Sequence, residues 1–229
     1  MKNIAIIPAR GGSKRLPKKN FEKFFGKPLF LYSYESAIKS NLFDKVIIST
    51  ESNEILSLMK EHNINNEYIR PDHLAQDDSS LIDVCIDVLN YYKNENYINM
   101  CLIWATSPIA NEEDLTLSFK QFTENQVDGV VACTEYTHTS DLVVLQDDKL
   151  IKPLIPYNEY NDSYMSKKIL FDCGAFSWIK VKTFFSERNW VAKKAMAYIL
   201  PYYKGVDLDT KEDLELLSFY YKKYVLKEV

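Results

Sequence analysis

Arg10, Lys14, Arg15, Lys18 and Lys19 concentrate positive charge in one short segment that also holds Gly11, Gly12, Ser13 and Asn20. Two of the chain's six glycines stand side by side there. Glycine allows positive φ and lets successive backbone N–H groups converge on an anion, so the segment reads as a phosphate cradle. Near the other end of the chain, Asp207 and Asp209 alternate along Gly205-Val206-Asp207-Leu208-Asp209-Thr210. In an extended segment, residues two apart point to one side. Paired carboxylates suit Mg²⁺ (or Mn²⁺), which takes one or two of them and completes its shell with waters and substrate phosphates. A triphosphate needs both cationic side chains and a metal. Two plainer readings stand beside these. The basic run can be ordinary solvated surface, and Asp209 or Thr210 can simply cap the helix that follows.

Familiar nucleotide loops are excluded. Gly11-Gly12-Ser13-Lys14 lacks the first glycine of the Walker pattern, and no Gly-x-Gly-x-x-Gly is present. The chain of 229 residues can bury a full core in a single domain over 1–229. Its net charge of -4 argues against nucleic acid as a partner, since the positive charge is local. Cys85, Cys101, Cys133 and Cys173 lie far apart, with neither zinc spacing nor a disulfide framework. No apolar run approaches a membrane span, so no membrane partner is expected. The start, Met1-Lys2-Asn3-Ile4, reads as a strand rather than a signal. A soluble, reducing, cytoplasmic setting is the expectation.

The elements that must position these groups follow from apolar periodicity. Buried strands are expected over residues 3–7, 46–50, 100–104 and 129–134, with a brief one over 67–71. Between them, amphipathic helices are expected over about 30–40, 54–62, 81–92 and from Asn111 onward, with Ser80 and Asn111 as caps. Alternation of this kind predicts an open, mostly parallel Rossmann-like sheet with helices on both faces. Ligands then bind outside the carboxyl ends of the strands, so the loops after residues 7, 50, 69, 104 and 134 should line one site. The pattern changes over 136–168, where a hairpin around Gln146-Asp147-Asp148-Lys149 precedes a polar, aromatic stretch. That stretch is a surface loop or an arm held by a partner. Strands over 171–179 and 197–200, a short helix over 180–188 and a last helix over about 211–227, capped by Thr210 and Asp213, complete the chain.

Further site residues are suggested by strand ends. Arg70 precedes Pro71 and can meet a base, a phosphate or an ordinary ion-pair partner. Asp77 and Asp78 read as turn and cap residues, with Asp77 kept as a nucleotide-binding candidate. Trp104 and Thr106 follow a buried strand, and Asp172, Gly174 and Phe176 share a late one. A glycine inside a strand marks close approach of a ligand or another backbone. His62, His73 and His138 are scattered, and none is assigned to catalysis.

Ile7-Pro8-Ala9-Arg10-Gly11-Gly12-Ser13-Lys14-Arg15-Leu16-Pro17-Lys18-Lys19-Asn20 closely resembles the nucleotide-binding signature of the acylneuraminate cytidylyltransferase family. Phe43 to Thr50, Arg70-Pro71 with Leu74-Ala75, Ala105-Thr106-Ser107-Pro108 and Asp207-Leu208-Asp209-Thr210 fall in the family's order, so the resemblance covers nearly the whole chain. There is one departure. Trp104 stands where sialic acid enzymes carry the Gln of Leu-Gln-Pro-Thr-Ser-Pro, and Asp172-Cys173-Gly174-Ala175-Phe176-Ser177-Trp178 stands near their Asn-Gly-Ala. Both patterns look more like the pseudaminic acid branch.

The resemblance implies a nucleotidyltransferase that activates a nine-carbon 2-keto sugar acid with CTP, releasing pyrophosphate. It implies catalytic roles for Arg10, Lys14, Lys19, Asp207 and Asp209, with Mg²⁺ (or Mn²⁺) on the two aspartates. It implies nucleotide contacts from Ala9, Arg10, Gly11, Gly12, Ser13, Lys19, Asn20, Arg70 and Asp77. Trp104, Thr106, Asp172 and Phe176 are the candidates for the sugar pocket. The family's dimer, in which an arm reaches the other subunit's site, implies a homodimer here with 136–168 as the arm. Three alternatives stay open: a metal-dependent glycosyltransferase using a nucleotide sugar, a non-catalytic nucleotide-binding module, and an acceptor acid of eight carbons or of the neuraminate or legionaminate type.

Overall fold

Asn3-Ile4-Ala5-Ile6-Ile7-Pro8 is apolar on both faces, as a strand covered from both sides must be. The computed structural model describes residues 1–13, 16–135, 144–147, 150–153 and 169–228, the two short segments 144–147 and 150–153 by backbone alone. In chain order, β1 (Asn3–Pro8) is followed by β2 (Lys23–Phe24), β3 (Lys27–Pro28), α1 (Leu29–Ser40), β4 (Lys45–Ser49) and α2 (Asn53–Glu61). Then come α3 (Leu81–Tyr91), β5 (Asn99–Ile103), α4 (Glu112–Glu124), β6 (Gly129–Glu135), β7 (Val144–Asp147) and β8 (Leu150–Pro153). The chain continues with β9 (Leu170–Lys180), α5 (Val181–Glu187), β10 (Ala195–Ile199) and α6 (Lys211–Tyr220).

Six strands form one sheet in the order β10-β6-β9-β5-β1-β4. The pairs β1–β4, β1–β5 and β10–β6 are parallel, and β9 runs antiparallel to both neighbours. The alternation along β1 sets the two layers. Ala5 and Ile7 face Phe30 and Leu31 of α1, Ile55 of α2 and Phe122 of α4. Ile4 and Ile6 face Val88 and Leu89 of α3 and Phe184 of α5. Trp178 on β9 has no exposed surface, lies parallel to Phe43 at 5.0 Å, and donates from Nε1 to Ser118 Oγ at 3.0 Å. The expected open, mostly parallel sheet with helices on both faces is therefore present, with β9 as its antiparallel member.

A third apolar cluster joins the two charged segments. Leu16 of the basic loop and Leu208, between the two aspartates, share it with Phe24, Leu29, Tyr32 and Leu217. Leu208 is fully buried and Leu16 nearly so. Burial of those two leucines in one place brings together segments that are remote in sequence.

Several expected details change. Residues 67–71 form no strand. The Asn66 side-chain amide donates to Ile48 O and Tyr68 O, and a single backbone bond, Arg70 N–H to Thr50 O, ties the end of the segment to the chain after β4. The last helix is α-helical over Lys211–Tyr220 and widens to a π-turn over Tyr221–Leu226. Its capping box of Thr210 and Asp213 is as expected, and Asn111 and Asp114 form another at α4. The hairpin is present as β7–β8, with Val144 opposite Pro153. The remainder of 136–168, where the arm is expected, lies outside the described residues, as do Lys14, Arg15 and His138.

The four cysteines are unbridged. Burial pushes the Cys85 and Cys173 thiols up to about 12 and Cys133 to about 11, and raises Cys101 as well, so all four are protonated near neutrality. No helix among the described residues is long and apolar enough to cross a membrane.

Candidate active site

At the carboxyl end of β1, Pro8 stops the strand and the chain turns over the sheet edge into a cleft of about 480 Å³. Arg10, Ser13, Lys19, Asn20, Arg70, Asp77, Trp104 and Asp209 all line it. Asp209 is brought there by Lys19, whose Nζ stands 2.8 Å from Asp209 Oδ1. Asn20 donates from Nδ2 to Arg10 O at 2.8 Å and so closes the basic loop on itself. Arg10 pairs with Asp77 at 3.2 Å and donates to Gln76 O, joining the loop to the segment before α3.

The two glycines act differently from the expectation. Neither has positive φ, and among the described residues of the loop the left-handed position is Lys18 at φ 62°. Gly11 is required by close approach, because a Cβ there would stand 2.8 Å from Ser52 Cβ. Its N–H donates to Glu51 Oε1 at 2.8 Å. Gly12 is exposed, with nothing within 4 Å of a Cβ position. Ala9 is fully buried and its N–H is used by Ser49 O at 2.9 Å, so that donor serves the sheet rather than an anion.

Arg70 is 4% exposed yet reaches the cleft. Its Nε donates to Ser49 Oγ at 3.1 Å and its Nη2 to Ser49 O at 2.6 Å, while Nη1 lies 3.9 Å from Glu51 Oε2. Burial pulls the guanidinium below its ordinary value and Glu51 opposes that shift. A guanidinium keeps its charge through such shifts. Glu51 thus stands behind the site, between the Gly11 N–H and Arg70, with Oε2 buried and without a hydrogen-bond donor. It was missed in the sequence, although its place just after a buried strand was a usable signal.

Leu208 is buried while Asp207 is exposed and Asp209 half-buried, which is the alternation the spacing predicts. Burial raises the Asp213 carboxyl, but the N–H groups of Asp209 and Thr210, the Thr210 hydroxyl and Lys19 outweigh it and hold that group below the usual range. Asp213 therefore stays ionised and keeps the Asp209 backbone in place. Asp207 lies beside Gly174, where a Cβ would stand 3.6 Å from Asp207 Oδ1 and 3.9 Å from Trp104 Cδ1.

Gly174 has φ 61°, a left-handed conformation that favours glycine. It sits in a bulge where Ala132 of β6 faces the whole stretch 173–176 of β9. That bulge carries Asp172 outward. Asp172 Oδ1 accepts from Gly174 N at 3.0 Å and Oδ2 from Trp190 Nε1 at 3.1 Å. Of the four sugar-pocket candidates Trp104 alone lines the cleft, and Asp172, though exposed, does not. Phe176 has no exposed surface and packs in the core near Tyr198, because the bulge turns it inward. Thr106 is 5% exposed and does not line the cleft. Of the loops expected to share one site, those after residues 7 and 69 contribute lining residues, Trp104 itself does but the residues just after it do not, and neither does the loop after residue 50. Thr134 and Glu135 instead border a separate depression with Tyr202.

No group of three or more metal-binding side chains occurs among the described residues. Asp209 stands beside the basic loop and Asp207 two residues before it beside Gly174, and one or two carboxylates fit an octahedral ion that draws its other ligands from phosphate and water.

Residues 4–226 match the family model of cytidylyltransferases. The chain belongs to that family. As a cytidylyltransferase it is similar to the pseudaminic acid cytidylyltransferase of Campylobacter jejuni subsp. jejuni serotype O:2, at 32% identity with 97% of each chain covered. It is 27% identical to the N-acylneuraminate cytidylyltransferase of Streptococcus agalactiae serotype V, which it matches along its whole length but over 55% of that protein. Two solved structures share its fold. One is a CMP:2-keto-3-deoxy-manno-octonic acid synthetase complexed with CTP, with a TM-score of 0.67, 16% identity, and 96% and 98% of the two chains covered. The other is 4-diphosphocytidyl-2C-methyl-D-erythritol synthase from Anaerococcus prevotii, with a TM-score of 0.68, 12% identity and 96% of each chain covered. The family and the nucleotidyltransferase fold implied by the first loop are thereby borne out.

Proposed function

We propose that this cytidylyltransferase joins CMP from CTP to a nonulosonic acid, with pseudaminic acid as the acceptor. The observation that carries the reading is the 2.8 Å contact between Lys19 and Asp209, two residues that line one cleft. The similarity to the Campylobacter enzyme along 97% of both chains supports the acceptor.

In this reading the anomeric hydroxyl oxygen attacks the α-phosphorus and gives up its proton to solvent, the bond from the α-phosphorus to the α,β-bridging oxygen breaks, and pyrophosphate leaves with that electron pair. Gly12, Ser13, Arg10, Lys14 and Lys19 hold the triphosphate and stabilise the charge that develops on the leaving group. The gain comes from positioning and electrostatic stabilisation rather than from a protein nucleophile. Asn20 closes the loop, and Arg70 meets the nucleotide from a rigid, buried position. Asp207 and Asp209 hold Mg²⁺, which when bound neutralises the triphosphate and polarises the attacked phosphorus. Trp104 and Asp172 face the sugar acid.

The test is pyrophosphate release from purified protein with CTP, Mg²⁺ and a panel of nonulosonic and eight-carbon acids. Turnover is expected with pseudaminic acid and should vanish when EDTA removes the metal. Absence of release with every acid, or activity undiminished by EDTA, counts against the reading. Residues 136–168 are assigned as an arm between two subunits. Sedimentation should therefore show twice the mass of one chain, and a monomer at assay concentration would remove that assignment.

A further inference from the structure

Trp190 belongs to none of the motifs around the cleft, yet it touches both residues assigned to the acceptor. Its Nε1–H donates to Asp172 Oδ2 at 3.1 Å, and its ring meets the Trp104 ring edge to face, with centroids 5.9 Å apart and planes at 81°. Its own backbone is fixed, since the buried Ser177 Oγ donates to Trp190 O at 2.7 Å. Ser177 lies on β9, the strand whose bulge carries Asp172 and Gly174. Trp104 is fixed in turn. Its N–H donates to Ala175 O at 3.0 Å, and its carbonyl accepts from Ser33 Oγ at 2.7 Å.

We propose that Trp190 is a positioning residue of the acceptor subsite, holding the Trp104 ring and the Asp172 carboxylate in the mutual geometry that the sugar acid meets. This rests on the acceptor assignment above. An indole N–H needs a protein partner when it is buried. Trp190 is only half-buried and Asp172 is exposed, so water can satisfy both groups. The bond between them is therefore not demanded by burial, and what it accomplishes is orientation. With Gly174 N on one oxygen and Trp190 Nε1 on the other, the carboxylate plane is set from both sides. A carboxylate oxygen accepts a second bond, so Asp172 can still receive a donor from a ligand. On the other side of Trp190, Trp104 lines the cleft. The chemistry that fits is an acid presenting a hydroxyl or amide N–H next to an apolar substituent. The donor meets Asp172 and the substituent meets the indole.

Separate Michaelis constants for CTP and acceptor test the proposal, measured on wild type, Trp190→Phe, Asp172→Ala and the double variant, with thermal melts alongside. Trp190→Phe keeps a ring against Trp104 and deletes the N–H. It is expected to raise the acceptor KM about fivefold, the size of one net hydrogen bond, and to leave the CTP KM within about twofold. If Trp190 acts through Asp172, the same change made in Asp172→Ala adds little. Equal rises in both constants, no rise in the acceptor constant, or an undiminished effect in the Asp172→Ala background each overturn the inference. A wild type that turns over no acid overturns the acceptor assignment instead. Tryptophan fluorescence on titrating pseudaminic acid into CTP-saturated protein then decides the inference. An acid-dependent change lost in Trp190→Phe supports it, and no change in the wild type, or one retained in the variant, sinks it.

Discussion

Asp209→Asn is expected to lower kcat for pyrophosphate release by about 10³-fold, the scale of a lost charge-stabilising group at a reacting centre, while the thermal midpoint stays close to that of the wild type. Two observations separate the effects. The carboxylate stands 2.8 Å from Lys19 in the cleft, so its charge is placed where triphosphate and metal would meet. The capping box of α6 uses the Asp209 backbone N–H, the Thr210 hydroxyl and Asp213, none of which the substitution removes. Asparagine keeps the size and loses the charge, so metal affinity should fall with turnover. Steady-state rates across a Mg²⁺ and Mn²⁺ series, with a melt on the same sample, check both halves. A kcat within tenfold of the wild type at saturating metal would remove Asp209 from the metal site.

Replacement of Arg70 by Met should have the second largest effect, on binding and stability together. Arg70 is 4% exposed, donates from Nε to Ser49 Oγ and from Nη2 to Ser49 O, and faces Glu51 across 3.9 Å. Met fills much of the volume but leaves the largely buried Glu51 carboxylate without its cation. Loss of one partner of such a pair costs about 3 kcal/mol. A drop of about 10²-fold in kcat/KM for CTP is expected as well, the loss of one or two charge-assisted bonds to the nucleotide. The two losses can be pulled apart by adding Glu51→Gln. Removing the stranded charge should restore much of the stability, read by urea melts, and none of the CTP efficiency. If the double variant recovers both, Arg70 acts only as a structural ion-pair partner.

Much of the cleft was readable because its residues lie at strand ends in short, unusual stretches. The run from Arg10 to Asn20 combines paired glycines with a density of charge that a core or a plain turn does not need. Period and composition likewise showed the buried strands and the capped helices, since those depend on neighbours a few residues away. Phe176 was misplaced for a physical reason. Alternation along a strand assigns it the same side as Asp172 and Gly174, but the bulge at Gly174 breaks that alternation and turns the ring into the core. Residues 67–71 failed as a strand because Asn66 side-chain bonds occupy the backbone acceptors that a ladder would use. Glu51 and Trp190 were missed because their partners are far away in sequence. Gly11 and Arg70 meet Glu51, and Trp104 and Asp172 meet Trp190, only after the sheet is assembled.

Residue types and local period alone determined that this chain forms a layered α/β sheet, that a basic, glycine-containing loop follows its first strand, and that a pair of carboxylates precedes its last helix. Each of these depends on a few consecutive residues and on backbone sterics. Tertiary structure alone decided that Lys19 meets Asp209, that an antiparallel β9 enters the middle of the sheet, and that Asp172 beside its bulge meets Trp190, which in turn meets Trp104. Those pairings come from burying Leu16 and Leu208 in one apolar cluster and from threading β9 between β5 and β6, and long-range burial of this kind leaves no periodic trace in the chain.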